Sequence, residues 1–223
     1  MRWSRSARVA MGDLRRVTPF SREFGFDRGS PVDRRYIEAF LARHAADVRG
    51  RVLEIKDRAY TERFGGDRVV TSDVLDVDAG NRVATLVDDL TTGDRLPADA
   101  FDCIVLTQTL HLIFDVHAAA RTLHRILKPG GVLLLTVPGI TPIPRSEAAS
   151  WYWSFSDRAA DRLFRATFAG GDVDVRAQGN VLAATAFLYG LAERELRDAE
   201  LDANDPDYPV IVTVRAVKAS SSR

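Results

Sequence analysis

Apolar residues along this chain form two kinds of pattern, which alternate from residue 33 onward. Short continuous runs rich in Val, Ile and Leu are typical of buried strands, whereas apolar positions spaced three and four apart are typical of helices. Strands that alternate with helices indicate a doubly wound α/β fold, so we expect a mostly parallel, seven-stranded sheet with helices on both faces. The predicted strands are residues 51–55, 68–74, 82–87, 101–110, 132–138, 172–178 and 208–217, and the predicted helices are residues 33–48, 115–127, 156–168 and 180–192, with at most a short helix at 60–64.

The length of 223 residues suits one medium domain. We expect residues 1–32 to form an N-terminal arm with a capping turn, and residues 33–218 to form the domain. The proline-rich stretch within residues 138–155 predicts a lid loop over a cleft. The polar tail, residues 219–223, is expected to be disordered.

The charge balance argues against whole classes of partner. Lys plus Arg and Asp plus Glu each number 31, so no net field draws the chain to nucleic acid or to an anionic membrane. No apolar run approaches the roughly 20 residues that a membrane helix needs. The basic leader has no apolar core, so it is not interpreted as a secretory signal, although a transit peptide and a frayed terminus both stay open.

The single cysteine, Cys103, lies in an apolar run, which predicts a buried free thiol. One cysteine excludes a cysteine-rich zinc site, and no histidine pair has a convincing metal context, so we predict no metal. A reducing cytoplasm is the expected location. A homodimer is compatible with the sequence, which does not decide the oligomeric state.

Carboxylates follow three successive predicted strands. Glu54, Asp73 and Asp89 lie near the strand ends, where a doubly wound sheet binds its ligand. Each one alone could be a solvated loop charge, but all three together indicate a site. The glycine-rich loop that would be expected after the first strand is absent, because no glycine lies between Glu54 and Phe64.

These features resemble the class I S-adenosylmethionine-dependent methyltransferases, in their small-molecule, type 11-like branch. The stretch "VLEI" resembles the family's first motif, "TSDV" and "DDL" resemble its second and third strand ends, and "RILKPGGVLLLTVPG" resembles the turn into its fifth strand. The resemblance implies a Rossmann-like fold and S-adenosylmethionine as cofactor, with S-adenosylhomocysteine as product. It covers about residues 51–137, with a continuation toward the end of the chain.

The resemblance also implies which residues hold the cofactor. Glu54 would lie near the methionine ammonium, Asp73 would accept hydrogen bonds from the ribose hydroxyls, and Asp89 would face the adenine amino group, with Asp88 as its substitute. The shortened first loop departs from the family, and there Lys56 could place its ammonium near the methionine carboxylate or could be a surface lysine beside a degraded site. The cofactor-binding set is Glu54, Lys56, Asp57, Tyr60, Asp73, Val74, Asp89, Leu90 and Thr107.

His111 is the candidate catalytic base, because it follows the fourth strand and an imidazole titrates near neutrality. The alternative is a half-buried histidine that caps local backbone. The candidate acceptor contacts lie in the arm, the first helix and the lid, where aromatic side chains could wall an acceptor or simply anchor the core. They are Arg28, Tyr36, Glu147, Trp151 and Trp153.

The sequence therefore predicts an S-adenosylmethionine-dependent methyltransferase of a small-molecule acceptor, a sugar or a specialised metabolite, methylated at oxygen or nitrogen. A non-catalytic binding or scaffold protein on the same fold is the first alternative, because the glycines are missing. A nicotinamide-dependent oxidoreductase is disfavoured, because the Gly-x-Gly-x-x-Gly pattern that seats a pyrophosphate is absent.

Overall fold

The computed structural model describes residues 10–146 and 149–220 of the chain. Within them a seven-stranded sheet runs in the order β3-β2-β1-β4-β5-β7-β6, and β7 is antiparallel to both of its neighbours. The predicted doubly wound, mostly parallel sheet is confirmed. Its strands are β1 (Gly50–Ile55), β2 (Val69–Asp76), β3 (Leu86–Val87), β4 (Phe101–Thr107), β5 (Leu127–Pro138), β6 (Asp172–Gln178) and β7 (Ile211–Val217), and the α-helices are α1 (Val32–Arg43), α2 (Ala59–Gly65), α3 (Val116–Ile126), α4 (Asp157–Thr167), α5 (Val181–Leu188) and α6 (Asp198–Asp202).

The helices α3 and α4 begin where polar residues satisfy their first N–H groups. The Asp115 carboxylate accepts from the N–H of Ala118 at the start of α3, and the Ser156 hydroxyl accepts from the N–H of Ala159 at the start of α4. Such caps supply acceptors for N–H groups that have no partner within the helix. Ser156, the first residue of the predicted helix 156–168, is thus the cap of α4.

The sheet is buried on both faces, as the apolar runs predict for central parallel strands. Along β4, Ile104 and Leu106 face the cluster that contains α3 and α4, whereas Cys103 and Val105 face the cluster that contains α1 and α5. The predicted burial of the Cys103 thiol is confirmed. The two hydrophobic layers leave the carboxyl ends of the parallel strands as the open edge.

Several element boundaries differ from the predictions. The third strand comprises only two residues, because Asn81 holds the preceding segment in a turn by donating to Asp76. The second strand extends beyond its predicted end at residue 74 and reaches Asp76. The "KPGG" residues form an irregularity inside β5, since Phe101 pairs with Leu127 and Cys103 with Val132.

The N-terminal arm packs against the segment between α5 and α6. The N–H of Phe20 donates to the carbonyl of Tyr189 at 2.8 Å, and Pro31 forms an isolated bridge with Ala192. Arg28 pairs through its guanidinium with the carboxylate of Glu195. In the described parts of the chain, no helix has the length and apolar character that crossing a bilayer requires.

Candidate functional site

Three cavities open at the carboxyl ends of the parallel strands, and they meet at Lys56 and Leu112, which border all three. The β2 cavity, of about 460 Å³, lies over the ends of β2 and β3. The β1 cavity, of about 500 Å³, lies over the turn between β1 and α2. The arm cavity, of about 280 Å³, lies between the N-terminal arm and the 3-10 turn Leu110–Leu112.

Glu54, at the end of β1, holds the start of α2. Its carboxylate oxygens accept from the N–H of Tyr60 at 3.2 Å and from the N–H of Thr61 at 2.7 Å. Burial raises the pKa of Glu54, although the two N–H groups act in the opposite direction. Glu54 borders the β1 cavity as expected, but its carboxylate is already engaged by the protein backbone.

The turn after β1 keeps a left-handed backbone without a glycine. Lys56 has a φ of 69°, and its N–H donates to the carbonyl of Leu75 at 3.0 Å. The side-chain amide of Asn81 donates to the carbonyl of Lys56 at 2.7 Å. A side chain in this conformation costs roughly 1–2 kcal/mol, so these two hydrogen bonds stabilise a strained position.

Other predicted residues surround this turn. Asp57, Tyr60 and Thr107 border the β1 cavity together with Lys56. The Asp57 carboxylate accepts from the N–H of Ala59, and the ring of Tyr60 packs 6.0 Å from that of Phe64. The structure therefore brings this predicted group to one cavity.

Acidic residues rim the β2 cavity. Asp76, Asp88 and Asp89 lie on its wall, and Leu90 forms part of its apolar floor. Burial alone would raise the pKa of Asp76, but the N–H of Asp78 and the amide of Asn81 more than offset it, so the pKa lies below its ordinary value. Asp76 is therefore ionised at neutral pH.

The structure places Asp73 and Val74 elsewhere. Asp73 is in the interior of β2, where its carboxylate accepts from Arg51 Nε at 2.6 Å and from the Thr85 hydroxyl at 3.1 Å. Val74 is fully buried, and neither residue borders one of the three cavities. The position facing the cavity is that of Asp76, because β2 continues past its predicted end.

His111 borders the arm cavity, packed against the lid. Its ring centroid lies 4.2 Å from that of Trp151, and its carbonyl accepts from the N–H of Tyr152 at 3.0 Å. Burial lowers the pKa of His111 to about 4. The imidazole is therefore neutral at physiological pH, and its Nδ1 has no hydrogen-bond partner among the described residues.

The predicted acceptor residues divide into two groups. Trp151 borders the arm cavity, whereas the Trp153 indole donates to the carbonyl of Ile113 at 3.0 Å and anchors the lid. Tyr36 is a core residue that donates to the carbonyl of Leu201, and Arg28 is held by its ion pair with Glu195. The expectations for Tyr36 and Arg28 are therefore corrected in favour of structural roles, and Glu147 lies outside the described residues.

Backbone strain is concentrated at this site. Among residues 10–146 and 149–220, the non-glycine residues with a left-handed φ are Phe24, Lys56, Asp99 and Gln108, and all but Asp99 border the arm cavity. Strained backbone of this kind tends to cluster at functional sites. This clustering supports the interpretation of the arm cavity as a functional site.

Sequence reasoning missed several residues of the site, among them Asp76, Arg34 and Gln108. Asp76 was missed because "TSDVLD" contains two acidic positions, and the earlier one fitted the predicted strand end. Arg34 borders both the arm cavity and the β1 cavity, and Gln108 does the same from the end of β4. A predicted strand that continues through the apolar Leu75 would end at Asp76, whereas nothing in the sequence distinguishes Arg34.

Comparisons with known proteins agree with this architecture. A family model described as a methyltransferase domain matches residues 22–168. No protein of curated function matches the chain significantly.

Solved structures have the same fold at low sequence identity. A SAM-dependent methyltransferase from Archaeoglobus fulgidus is 13% identical, with a TM-score of 0.57 over 89% of this chain and 100% of that one. The plantazolicin methyltransferase BamL, in complex with a triazolic desmethylPZN analogue and SAH, is 12% identical, with a TM-score of 0.58 over 88% of each chain. Phosphoethanolamine N-methyltransferase 2 of Haemonchus contortus, in complex with phosphomonomethylethanolamine and S-adenosylhomocysteine, is 16% identical, with a TM-score of 0.55 over 86% of this chain and 54% of that one.

The family model covers more than half of the chain, and these solved structures share its fold. The resemblance seen in the sequence is thereby confirmed. The chain belongs to the methyltransferase domain family and is a class I S-adenosylmethionine-dependent methyltransferase.

Proposed function

We propose that this enzyme transfers a methyl group from S-adenosylmethionine to a small-molecule acceptor, with the cofactor across the β2 and β1 cavities and the acceptor in the arm cavity. The observation that carries the proposal is the junction of the three cavities at Lys56 and Leu112. A cofactor that extends through two of them would present its reactive centre toward the third.

The β2 cavity suits the nucleoside half of the cofactor. Asp76 is ionised and would accept from the ribose hydroxyls, the role that the sequence assigned to Asp73. A carboxylate has about four acceptor sites, so the hydrogen bonds from Asp78 and Asn81 leave capacity for a ligand. Asp89, or Asp88 in its place, would face the adenine amino group, with Leu90 against the ring.

The β1 cavity suits the methionine half. Arg34 and Lys56 would hold its carboxylate, and Asp57 and Thr107 would lie near its ammonium. Glu54 would act through α2, because its carboxylate fixes the helix start. Two cationic side chains would thus replace the backbone N–H groups that a glycine-rich loop usually offers.

When bound, S-adenosylmethionine supplies a methyl group activated by a sulfonium. The protein's own contribution is to hold the acceptor opposite that methyl group and to exclude water, and well-oriented reactants gain up to roughly 7–11 kcal/mol. His111 and Trp151 border the acceptor side. A catalytic role for His111 stays a prediction, and its low pKa makes it a weak base.

The size of the arm cavity, about 280 Å³, supports a small acceptor rather than a polymer. BamL and the Haemonchus enzyme are both described with small-molecule ligands. The balanced charge of the chain supports the same choice over nucleic acid. A cytoplasmic location and either a monomer or a homodimer are compatible with this proposal.

One observation favours the non-catalytic alternative. Lys56 keeps the left-handed backbone where related enzymes are expected to have glycine, and its Cβ limits how closely a ligand approaches the turn. A binding or scaffold protein could tolerate such a change. Turnover of an acceptor separates the two readings.

A thermal melt of the full chain tests the cofactor site directly. A ligand at 100 times its Kd stabilises a protein by about 2.7 kcal/mol. We expect both S-adenosylmethionine and S-adenosylhomocysteine to raise the Tm at millimolar concentration. The absence of a shift with either ligand would overturn the proposal, whereas a shift without turnover of any acceptor would favour the scaffold.

A further inference from the structure

Aromatic rings form a continuous row along the arm cavity. The His111 and Trp151 centroids lie 4.2 Å apart, those of Trp151 and Phe24 lie 6.4 Å apart, and those of Phe24 and Phe187 lie 6.0 Å apart. All four residues border the cavity. The faces of such rings attract cations as well as planar apolar groups.

A buried carboxylate belongs to the same wall. Asp33, in the first turn of α1, is only 8% exposed and borders the arm cavity. In the described parts of the chain no side-chain hydrogen bond acts on its carboxylate, and the charge of Arg34 is the one that favours its ionised form. Burial raises the pKa of Asp33, and the charge of Arg34 with the N–H groups of the same turn offsets this only in part. A ligand that donates to this carboxylate would therefore relieve an unfavourable burial.

The charged residues of the arm cavity form two groups, according to whether they also border a second cavity. Glu23 and Asp33 border the arm cavity and neither of the other two. Arg34 and Lys56 also border the β1 cavity, where the proposed function assigns them to the methionine carboxylate. With Arg34 and Lys56 engaged by the cofactor, the remaining charged side chains that border the arm cavity are the carboxylates of Glu23 and Asp33.

We infer that the arm cavity binds its acceptor through an amino group, which donates to the Asp33 carboxylate while the aromatic row packs against the rest of the molecule. The acceptor is accordingly a small amine with an apolar or planar body, and the inference rests on the proposed function. An amine that binds as an ammonium must lose one proton, to the Asp33 carboxylate or to solvent, before its lone pair accepts the methyl group, so the weakly basic His111 is not needed as the base. Asp33 is the residue that sets this specificity.

Binding of three probes of similar size tests the inference without turnover. The full chain is saturated with S-adenosylhomocysteine and titrated in thermal melts with benzylamine, benzyl alcohol and benzoate. At neutral pH these carry a positive charge, no charge and a negative charge. We expect benzylamine to bind at least about tenfold more tightly than benzyl alcohol, and benzoate to bind most weakly, because a charge-assisted hydrogen bond is stronger than a neutral one.

Two variants test whether the preference for benzylamine over benzyl alcohol depends on Asp33. Asp33→Asn should reduce the affinity for benzylamine to within about twofold of that for benzyl alcohol, and leave the response to S-adenosylhomocysteine unchanged. Asp67→Asn is the matched control, since Asp67 is exposed and borders none of the three cavities. It should keep the wild-type preference.

Equal binding of benzylamine and benzyl alcohol by the wild-type chain would overturn the inference, and so would an undiminished preference in Asp33→Asn. The wild-type comparison decides the matter even if the variant does not fold. A missing response to S-adenosylhomocysteine would count against the proposed function. An intact response without any preference for the amine would count against the inference alone.

Discussion

Arg51 and Asp73 are joined across neighbouring strands, with Arg51 Nε donating to Asp73 Oδ2 at 2.6 Å. The guanidinium also lies over the ring of Phe101, 4.9 Å from its centroid. This arrangement commits the Asp73 carboxylate to the sheet, three positions before β2 ends at Asp76. Of the two aspartates of this strand, Asp73 is therefore engaged within the sheet, whereas Asp76 borders the β2 cavity.

Substitution of these two aspartates should separate stability from ligand binding. We expect Asp76→Asn to abolish most of the thermal shift with S-adenosylhomocysteine, because the ribose hydroxyls would lose a charged acceptor. Asp73→Asn should instead lower the free energy of unfolding by about 1–2 kcal/mol and keep the thermal shift. If the thermal shift is lost only in Asp73→Asn, then Asp73 binds the ribose hydroxyls, as the sequence resemblance implies.

The left-handed backbone at Lys56 should be visible as a difference between two variants. Lys56→Gly and Lys56→Ala both remove the ammonium, but only glycine relieves the strain. We expect the glycine variant to be more stable by about 1 kcal/mol in urea unfolding, with affinity for S-adenosylhomocysteine lowered in both.

The same pair of substitutions at Glu62 is the control. Glu62 is exposed within α2, where glycine is worse than alanine by about 1 kcal/mol. The order of stability should therefore be reversed at this position. If Lys56→Ala is as stable as Lys56→Gly or more stable, the left-handed backbone at this position is not strained.

Burial of His111 should make the protein less stable in acid. The pKa falls from the ordinary value of 6.5 to about 4 on folding, so the unfolded state binds more protons between these values. Stability therefore decreases as the pH falls through this window, by about 3 kcal/mol over its full width. Urea unfolding at several pH values should show a shallower dependence in His111→Gln than in the wild type.

The matched control for this prediction is His117→Gln, because His117 is exposed on α3. Its pH dependence should follow that of the wild type. Identical slopes for the wild type and His111→Gln would mean that the buried imidazole does not control acid stability. Turnover measured on the same variant at neutral pH tests whether His111 is also a catalytic base.

Glu54 should contribute to stability through α2. Removal of its carboxylate in Glu54→Ala leaves the N–H groups of Tyr60 and Thr61 without their acceptor, at a cost of about 2 kcal/mol. Asp57→Ala removes an exposed acceptor from the same turn and should cost less, about 0.5–1 kcal/mol. Comparable losses for the two variants, measured by urea unfolding, would contradict the capping role of Glu54.

Local patterns determined the element types because those depend on nearby residues. The apolar alternation, the helix starts near residues 115 and 156, and the buried run of β4 could all be predicted from the sequence. The strand boundaries were harder to predict. The observed ends of β2 and β3 differ from the predicted ones because the hydrogen bonds of Asn81 and Thr85 decide where strand pairing stops. Those partners come together only when the sheet forms.

The sequence by itself determined that the chain is a doubly wound methyltransferase with an acidic strand edge and no glycine-rich first loop. Tertiary structure decided which carboxylate faces the cavity, because a shift of strand end moves the site from Asp73 to Asp76. It also brought Asp33 and Arg34 of α1 to the same cavity as Lys56, a grouping of separate segments that no local pattern encodes. The physical reason is that periodicity fixes which face of an element is buried, whereas cavities are made by side chains from separate elements that meet only after packing.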